Sequence, residues 1–151
     1  MSYNKFSCKS ILFPIDGSPK SFEAAKFALN FSELFDNCSI TLLYVIDEEK
    51  IHQLRSYPEG ESSTLSEKFQ AQGRKYFNKV ISDAKLSGFN ENFIKTIITK
   101  GDPVEKIIET SKNFDLIVMA VRGKKHAVEY LMGHVTERVL HLSDIPVLVV
   151  P

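Results

Sequence analysis

The fold of this chain is decided by one stretch near its amino terminus, Ile11-Leu12-Phe13-Pro14-Ile15-Asp16-Gly17-Ser18-Pro19. Its first five residues form a short apolar run that is typical of a buried strand. Asp16 and Gly17 then predict a turn. Ser18 is a natural helix N-cap, and Pro19 suits the first position of a helix. The stretch therefore predicts a strand that leads directly into a helix, the repeating unit of α/β proteins.

The same alternation of strand and helix patterns continues along the chain. Further apolar runs lie at Ile40–Ile46, Phe93–Thr99, Leu116–Ala120 and Val147–Val150. Runs with so few polar interruptions are typical of parallel strands that are buried on both faces. We therefore predict one α/β domain over residues 1–151, a doubly wound parallel sheet of five strands with helices on both faces. Because a proline is unfavourable in a central strand, pairing of the first strand is expected to end near Pro14.

Composition narrows the class of protein. The 151 residues are 43% hydrophobic and 25% charged, which is ordinary for a globular domain. Lys plus Arg and Asp plus Glu each total 19, so the formal net charge is zero and a broad electrostatic grip on nucleic acid is disfavoured. No apolar run approaches the ~20 residues of a membrane span, and residues 1–9 lack the apolar core of a signal peptide. We expect a cytoplasmic protein that binds neither nucleic acid nor a membrane.

The small number of cysteines limits the cross-links and metal sites that the chain can form. Only Cys8 and Cys38 occur, too few for a disulfide framework or an all-cysteine metal site. They precede two strands that should be neighbours, so they could lie close in space. In a cytoplasmic protein we expect both to be free thiols.

The carboxyl ends of the predicted strands are the expected ligand edge of a doubly wound sheet. These ends carry Asp16-Gly17-Ser18, Val45-Ile46-Asp47, Gly101-Asp102 and Arg122-Gly123-Lys124-Lys125-His126. Gly123 would let backbone approach a ligand closely. Gly133 precedes a helix whose free N–H groups favour an anion. A solvated basic loop followed by an ordinary glycine at a helix start is an equally good interpretation of these residues alone.

The segment from Asp47 to Ser66 has no clear periodicity and is rich in Glu, Ser, Pro and Gly. We predict a long loop, which could include a short helix near Ile51–Arg55. Its few apolar anchors predict mobility in the free protein and ordering over a bound ligand.

Motifs of several common active sites are absent from the sequence: the G-x4-G-K-[S/T] phosphate loop, the G-x-G-x-x-G fingerprint and the G-x-S-x-G nucleophile elbow. The four histidines lack metal-ligand spacing, so we predict no resident metal site. Ser18 is expected to be a helix cap and not a nucleophile. Asp16 could contact a metal through phosphate, or it could only shape the turn.

The sequence resembles the universal stress protein family over nearly its whole length. The resemblance is carried, in this order, by Phe13-Pro14-Ile15-Asp16-Gly17-Ser18, Leu42-Leu43-Tyr44-Val45, Gly101-Asp102-Pro103, Asp115-Leu116-Ile117-Val118-Met119, Gly133-His134-Val135-Thr136-Glu137-Arg138-Val139-Leu140 and Ile145-Pro146-Val147-Leu148-Val149-Val150. It implies a five-stranded parallel sheet with strand order 3-2-1-4-5. It also implies a homodimer formed through the last strand, with Val147, Leu148, Val149 and Val150 at the interface.

The ATP-binding branch of that family carries the pattern G-x2-G-x9-G-[S/T] after the fourth strand. Gly123 and Gly133 match its second and third glycines, with nine residues between them. Ala120 stands at the first glycine and His134 at the Ser/Thr position. Alanine adds one methyl group near the ribose, and an imidazole replaces a small hydroxyl beside phosphate.

The resemblance implies a site for ATP or another adenine nucleotide, with Mg as counter-ion and slow or absent hydrolysis. Asp16 and Val45 are implied at the adenine and ribose end, and Gly123 and His134 at the phosphate end. The full implied set is Pro14, Ile15, Asp16, Val45, Ala120, Arg122, Gly123, Gly133, His134 and Val135. We expect a stress-response binding module with no catalytic residue. The alternative is a dimeric signalling or interaction protein of the same family that does not bind nucleotide, and the sequence names no protein partner.

Overall fold

The computed structural model describes residues 3–54, 62–123 and 131–151. In these ranges the strands are β1 (Ser10–Pro14), β2 (Ser39–Asp47), β3 (Ile94–Gly101), β4 (Leu116–Ala120) and β5 (Val147–Val150). The helices are α1 (Pro19–Ser32), α2 (Glu48–Leu54), α3 (Ser62–Leu86), α4 (Pro103–Ser111) and α5 (His134–Leu142), and a 3-10 turn covers Glu91–Phe93.

The five strands form one parallel sheet in the order β3-β2-β1-β4-β5, which confirms the predicted fold. The chain moves outward from β1 through β2 to β3, then crosses back to β4 on the other side of β1. The order of strands therefore reverses between β1 and β4. In doubly wound sheets this reversal opens a crevice at the carboxyl ends of those two strands.

Pro14 is the last residue of the central strand β1, as the sequence predicted. It stands opposite Leu43 of β2, and the next amide, Ile15 N–H, donates to the Leu43 carbonyl at 2.9 Å. On the other side, the ladder to β4 pairs Ile11 with Leu116 and Leu12 with Ile117. The proline therefore lies beyond the β4 pairing, where its missing N–H interrupts no paired residue of that ladder.

Alternate side chains of β1 enter two separate cores. Ile11 and Phe13 pack with α1 and α3 on one face of the sheet. Leu12 packs with α4 and α5 on the other face. This two-sided burial explains why the strands are almost continuously apolar.

Two helices begin as their sequences predict. The Ser18 side chain accepts a hydrogen bond from the Ser21 amide at 3.1 Å at the start of α1. Asp102 does the same for the Glu105 amide at 2.9 Å at the start of α4. Each cap precedes a proline in the first turn, where no amide donor is needed.

The prediction of a long loop over Asp47–Ser66 is wrong for the described part of that segment, although the short helix that it allowed near Ile51–Arg55 is present as α2. β2 continues through Asp47, α2 follows at once, and α3 begins at Ser62, while residues 55–61 lie outside the described ranges. The Asp47 carboxylate accepts from the Glu49 amide at 3.1 Å, and Ile51 is fully buried. A capping contact and one apolar anchor thus stabilise a helix too short to show a clear periodicity. Mobility of this segment in the free protein and its ordering over a ligand stay predictions.

Candidate functional site

At the centre of the crevice, the residues that follow β1 and β4 contact each other. The Asp16 carboxylate accepts a hydrogen bond from the Ser18 amide at 2.9 Å, which fixes the carboxylate above the turn. Its other oxygen lies against Gly123, where a Cβ atom would overlap it. Gly123 is therefore required for close approach, and the two residues that sequence reasoning placed at opposite ends of the site are neighbours.

The turn that carries Asp16 is also supported from behind. Gly17 has φ +80°, and the Tyr76 ring of α3 occupies the space that a Cβ at Gly17 would need. Tyr76 meets Tyr44 and Phe22 edge to face, with ring centroids 5.7 and 5.9 Å apart. Helix α3 thus fixes the position of the turn through one aromatic ring. Tyr76 has no role in the site predicted from the sequence, and Gly17 after Asp16 was the one signal that a side chain could pack closely against this turn.

Helix α5 begins beside the same crevice. Gly133 is its N-cap, makes no side-chain capping bond, and donates its own amide to the Val121 carbonyl at 2.8 Å. The buried Thr136 hydroxyl donates to the Ala120 carbonyl at 2.9 Å, so the first turn of α5 is tied to the end of β4. The positive end of the α5 dipole and its first amides are therefore held at the carboxyl edge of the sheet. Thr136 was not among the predicted site residues, although it lies within the Gly133-His134-Val135-Thr136 motif.

Four other predicted site residues pack on one or the other face of the sheet. Val45 and Val135 are half-buried against the core between the sheet and α4 and α5, which is the face that α5 covers. The Ile15 side chain is 3% exposed in the opposite core, so it points away from that face. Ala120 also packs on the α1 and α3 side.

Three predicted residues lie around the start of α5 and the end of β1. His134 is exposed at the first position of α5, and Arg122 is half-buried between β4 and Gly123. Pro14 is half-buried at the end of β1. The basic residues Lys124, Lys125 and His126 lie outside the described ranges.

The charge of Asp16 affects the pKa of the nearby Tyr44 phenol. Burial, and to a smaller extent the nearby Tyr76 and the Asp16 carboxylate, together raise the pKa of Tyr44 to about 12. Tyr44 is therefore neutral at physiological pH and cannot serve as a base there.

The two edges of the sheet differ in character. Every side chain of β5 is apolar and half-buried, and β5 pairs only with β4 among the described strands. At the opposite edge, β3 carries exposed Lys95 and Lys100. Lysines on an edge strand disfavour pairing with another chain, whereas an uncharged apolar edge favours it.

Two further features are absent from residues 3–54, 62–123 and 131–151. These residues contain no cluster of three or more His, Cys, Asp or Glu side chains that could hold a metal ion. No helix formed by them has the length and apolarity needed to cross a bilayer.

Known proteins resemble this chain in both sequence and fold. A family model described as the universal stress protein family matches residues 8–151. The chain is 37% identical to universal stress protein MJ0531 of Methanocaldococcus jannaschii over 144 residues, which cover 94% of this chain and 81% of that protein. It is 32% identical to the solved structure of MJ0577 from the same organism, with a TM-score of 0.77 and 94% of each chain covered.

Two more distant structures share the fold and were solved with adenine-containing ligands. One is a universal stress protein in complex with cAMP, 19% identical, with a TM-score of 0.70 and coverage of 96% of this chain and 98% of that one. The other is the universal stress protein of Archaeoglobus fulgidus in complex with dAMP, 12% identical, with a TM-score of 0.65 and coverage of 97% and 100%.

Proposed function

This chain belongs to the universal stress protein family, and on that premise we propose that it binds an adenine nucleotide in the crevice between the ends of β1 and β4. The contact between Asp16 and Gly123 is the observation that carries the proposal. It joins the turn after β1 to the backbone after β4 and leaves a fixed carboxylate at the point where strand order reverses. Ligands of doubly wound sheets bind at such a point.

The crevice would offer a suitable contact to the ribose, to the base and to the phosphate of the proposed ligand. The Asp16 carboxylate would accept hydrogen bonds from ribose hydroxyls, since a carboxylate offers only acceptors. The half-buried Val45 and Val135 would contact the flat apolar faces of the nucleoside. The first amides of α5, with no side-chain cap of their own, would hold phosphate.

The two departures from the family pattern are compatible with this arrangement. His134 is exposed, so its ring can move aside for phosphate without disturbing the core. When protonated it would add a charge-assisted hydrogen bond. Ala120 packs its methyl group on the other side of the sheet, and its carbonyl is occupied by Thr136. Support also comes from the relatives solved with cAMP and dAMP, which both contain adenine and one phosphate.

In this proposal the protein binds the nucleotide and does not hydrolyse it. Asp16 is engaged in its turn, and the neighbouring Tyr44 is neutral, so neither is arranged to activate water. Mg would enter only as the counter-ion of a polyphosphate.

The active unit is proposed to be a homodimer joined through the β5 edges. Val147, Leu148, Val149 and Val150 would pair with the same strand of a second copy. The contrast between this uncharged edge and the lysines of β3 favours β5 as the interface.

Calorimetric titration with ATP, ADP, AMP and cAMP, with and without Mg, tests the proposal. Asp16→Asn keeps an oxygen that can accept from the Ser18 amide but removes the charge, so affinity should fall while the fold persists. Asp36→Asn is the matched control, because Asp36 is an exposed carboxylate just beyond α1. Binding by neither the parent protein nor the control would refute the proposal and favour the dimeric interaction protein.

A further inference from the structure

Two buried thiols meet at the amino end of the sheet, opposite the proposed nucleotide crevice. Cys8 lies just before β1 and Cys38 just before β2, and their Sγ atoms are 3.8 Å apart. The two residues are 1% and 5% exposed, and both thiols are free. Neither residue takes part in the proposed function.

The backbone around the two thiols is held firmly. Ser10 and Ser39 stand opposite each other in the β1–β2 ladder, and the Ser39 amide donates to the Lys9 carbonyl at 3.0 Å. The Asp115 carboxylate accepts from the Lys9 amide at 2.8 Å and from the Ser10 amide at 3.1 Å. The sulfur atoms are therefore presented to each other by strands whose register is fixed. A disulfide needs them to approach to about 2.05 Å, a movement within reach of side-chain rotation and a small backbone shift.

We propose that Cys8 and Cys38 form a redox-active dithiol that a peroxide oxidises to a disulfide within the chain. One thiolate attacks a peroxide oxygen, the O–O bond breaks, and a sulfenic acid and one water result once protons are supplied. The second sulfur then attacks the sulfenic sulfur, an S–S bond forms, and a second water leaves. The two sulfurs together lose two electrons, and one hydrogen peroxide takes them.

Burial makes this dithiol slow to react in the closed structure. Burial raises the pKa of the Cys38 thiol to about 12, and the pKa of Cys8 is also raised chiefly by burial. Since the thiolate is the nucleophile, oxidation accelerates as pH rises. A redox site with this property responds to sustained and not to brief oxidant exposure.

Access to the thiols comes from the amino-terminal side. Residues 3–7 are exposed, and the Phe6 ring packs edge to face on Phe35 of the α1–β2 connection at 6.1 Å. Cys8 follows this segment directly. Local opening of a segment with so little buried surface requires far less free energy than global unfolding, and it uncovers Cys8.

Oxidation has a consequence that can be measured. The bond links residues 30 positions apart and encloses β1 and α1 in a covalent loop. A loop of this size restricts the unfolded chain, so the oxidised form should melt about 5–10 °C higher than the reduced form.

Intact-mass analysis tests the proposal. Reduced full-length protein is treated with hydrogen peroxide, and remaining thiols are alkylated in denaturant. The expected product is a single chain that has lost two hydrogen atoms, takes no alkyl group, and regains two alkylation sites after treatment with dithiothreitol. The proposal is overturned if both thiols stay alkylatable, if sulfinic or sulfonic acid dominates, or if the bonds join separate chains.

Matched variants test the geometry and the route of access. Cys8→Ser and Cys38→Ser should each abolish the product, and the parent protein alone decides the proposal if either variant fails to fold. Phe6→Ala should speed disulfide formation about 2- to 10-fold, the effect of losing one aromatic contact. Leu140→Ala removes an exposed apolar side chain of α5, on the other face of the sheet, and should leave the rate unchanged. Equal rates for Phe6→Ala and Leu140→Ala would overturn access through the amino-terminal segment.

Discussion

The Thr136 hydroxyl donates a hydrogen bond of 2.9 Å to the carbonyl of Ala120 and so ties the first turn of α5 to the end of β4, beside the bond from the Gly133 amide to the Val121 carbonyl. Thr136 is 4% exposed, so water could not readily replace its hydroxyl as the donor to Ala120. The two bonds together hold the amide end of α5 at the crevice.

Thr136→Val keeps the shape of the side chain and removes that donor. We expect a loss of about 1–3 kcal/mol in the free energy of unfolding, because the Ala120 carbonyl is left without its partner. Nucleotide affinity should fall as well, since the α5 amides shift. Thr110→Val is the control: its hydroxyl bonds the Lys106 carbonyl within α4, so it should alter stability alone. Urea denaturation and calorimetry on both variants make the comparison, and unchanged affinity in Thr136→Val would separate this bond from the site.

Gly17→Ala tests the support that Tyr76 gives to the turn. A side chain at φ +80° is strained, and its Cβ would also overlap the Tyr76 ring, so we expect a loss of about 2–4 kcal/mol. Gly88→Ala is a matched control, because Gly88 has φ +83° and open space around the Cβ position. That control should lose only about 1 kcal/mol. Equal losses in chemical denaturation would show that the Tyr76 contact adds nothing.

Stability should fall above pH 9 under reducing conditions. The pKa of Cys38 is 9.0 when unfolded and about 12 when folded, so above pH 9 the unfolded chain releases a proton that the folded chain retains. The thiol's contribution is therefore complete below pH 9 and is lost as pH rises toward 12. Tyr44 acts in the same sense from pH 10, its unfolded value.

Cys38→Ala isolates the thiol's share of that decline. The free energy of unfolding, measured at about pH 8 and about pH 10.5, should decrease less in the variant than in the parent protein. The difference between the two pH values is the readout, because removal of a buried side chain lowers stability at both. Identical differences in the two proteins would contradict the assigned pKa direction.

Val149→Lys should weaken the proposed dimer. A lysine on β5 would place a charge on the only uncharged edge of the described sheet. Sedimentation at micromolar concentration should give a dimer for the parent protein and a monomer for the variant. Thr96→Lys at the exposed β3 edge is the control and should not alter the sedimentation coefficient. A monomeric parent protein would refute the interface.

His134→Ser should strengthen nucleotide binding. His134 is exposed at the first position of α5, so its ring must move aside before phosphate reaches the helix amides, whereas a serine hydroxyl is small and can donate to phosphate. The variant should bind ATP more tightly by about 1 kcal/mol, the scale of one hydrogen bond. His141→Ser, in the last turn of the same helix, is the control. Calorimetry that gives equal affinities for all three proteins would remove His134 from the site.

The sequence predicted the sheet well because its signals are local. Apolar runs, and Ser18 and Asp102 before prolines, each act within a few residues, and each was confirmed. Helix α2 was predicted only as a possible short helix near Ile51–Arg55, because its stability depends on burial of Ile51 in the core, a tertiary contact.

The site was predictable in its members but not in their contacts. Asp16 and Gly123 are 107 positions apart, and no sequence pattern states that a carboxylate rests on that glycine. Tyr76 and Thr136 support the site through packing and one hydrogen bond to a carbonyl. Such contacts depend on how the faces of the sheet are covered, which periodicity alone does not specify.

The unequal edges of the sheet determine how far self-association can proceed. An open sheet with two uncharged edges could add copies at both sides and grow into a fibre. Lys95 and Lys100 on β3 block growth at one side, so a second copy that pairs β5 with β5 presents only charged edges outward. Assembly through β5 is then self-terminating, because the charge of two side chains prevents further polymerisation.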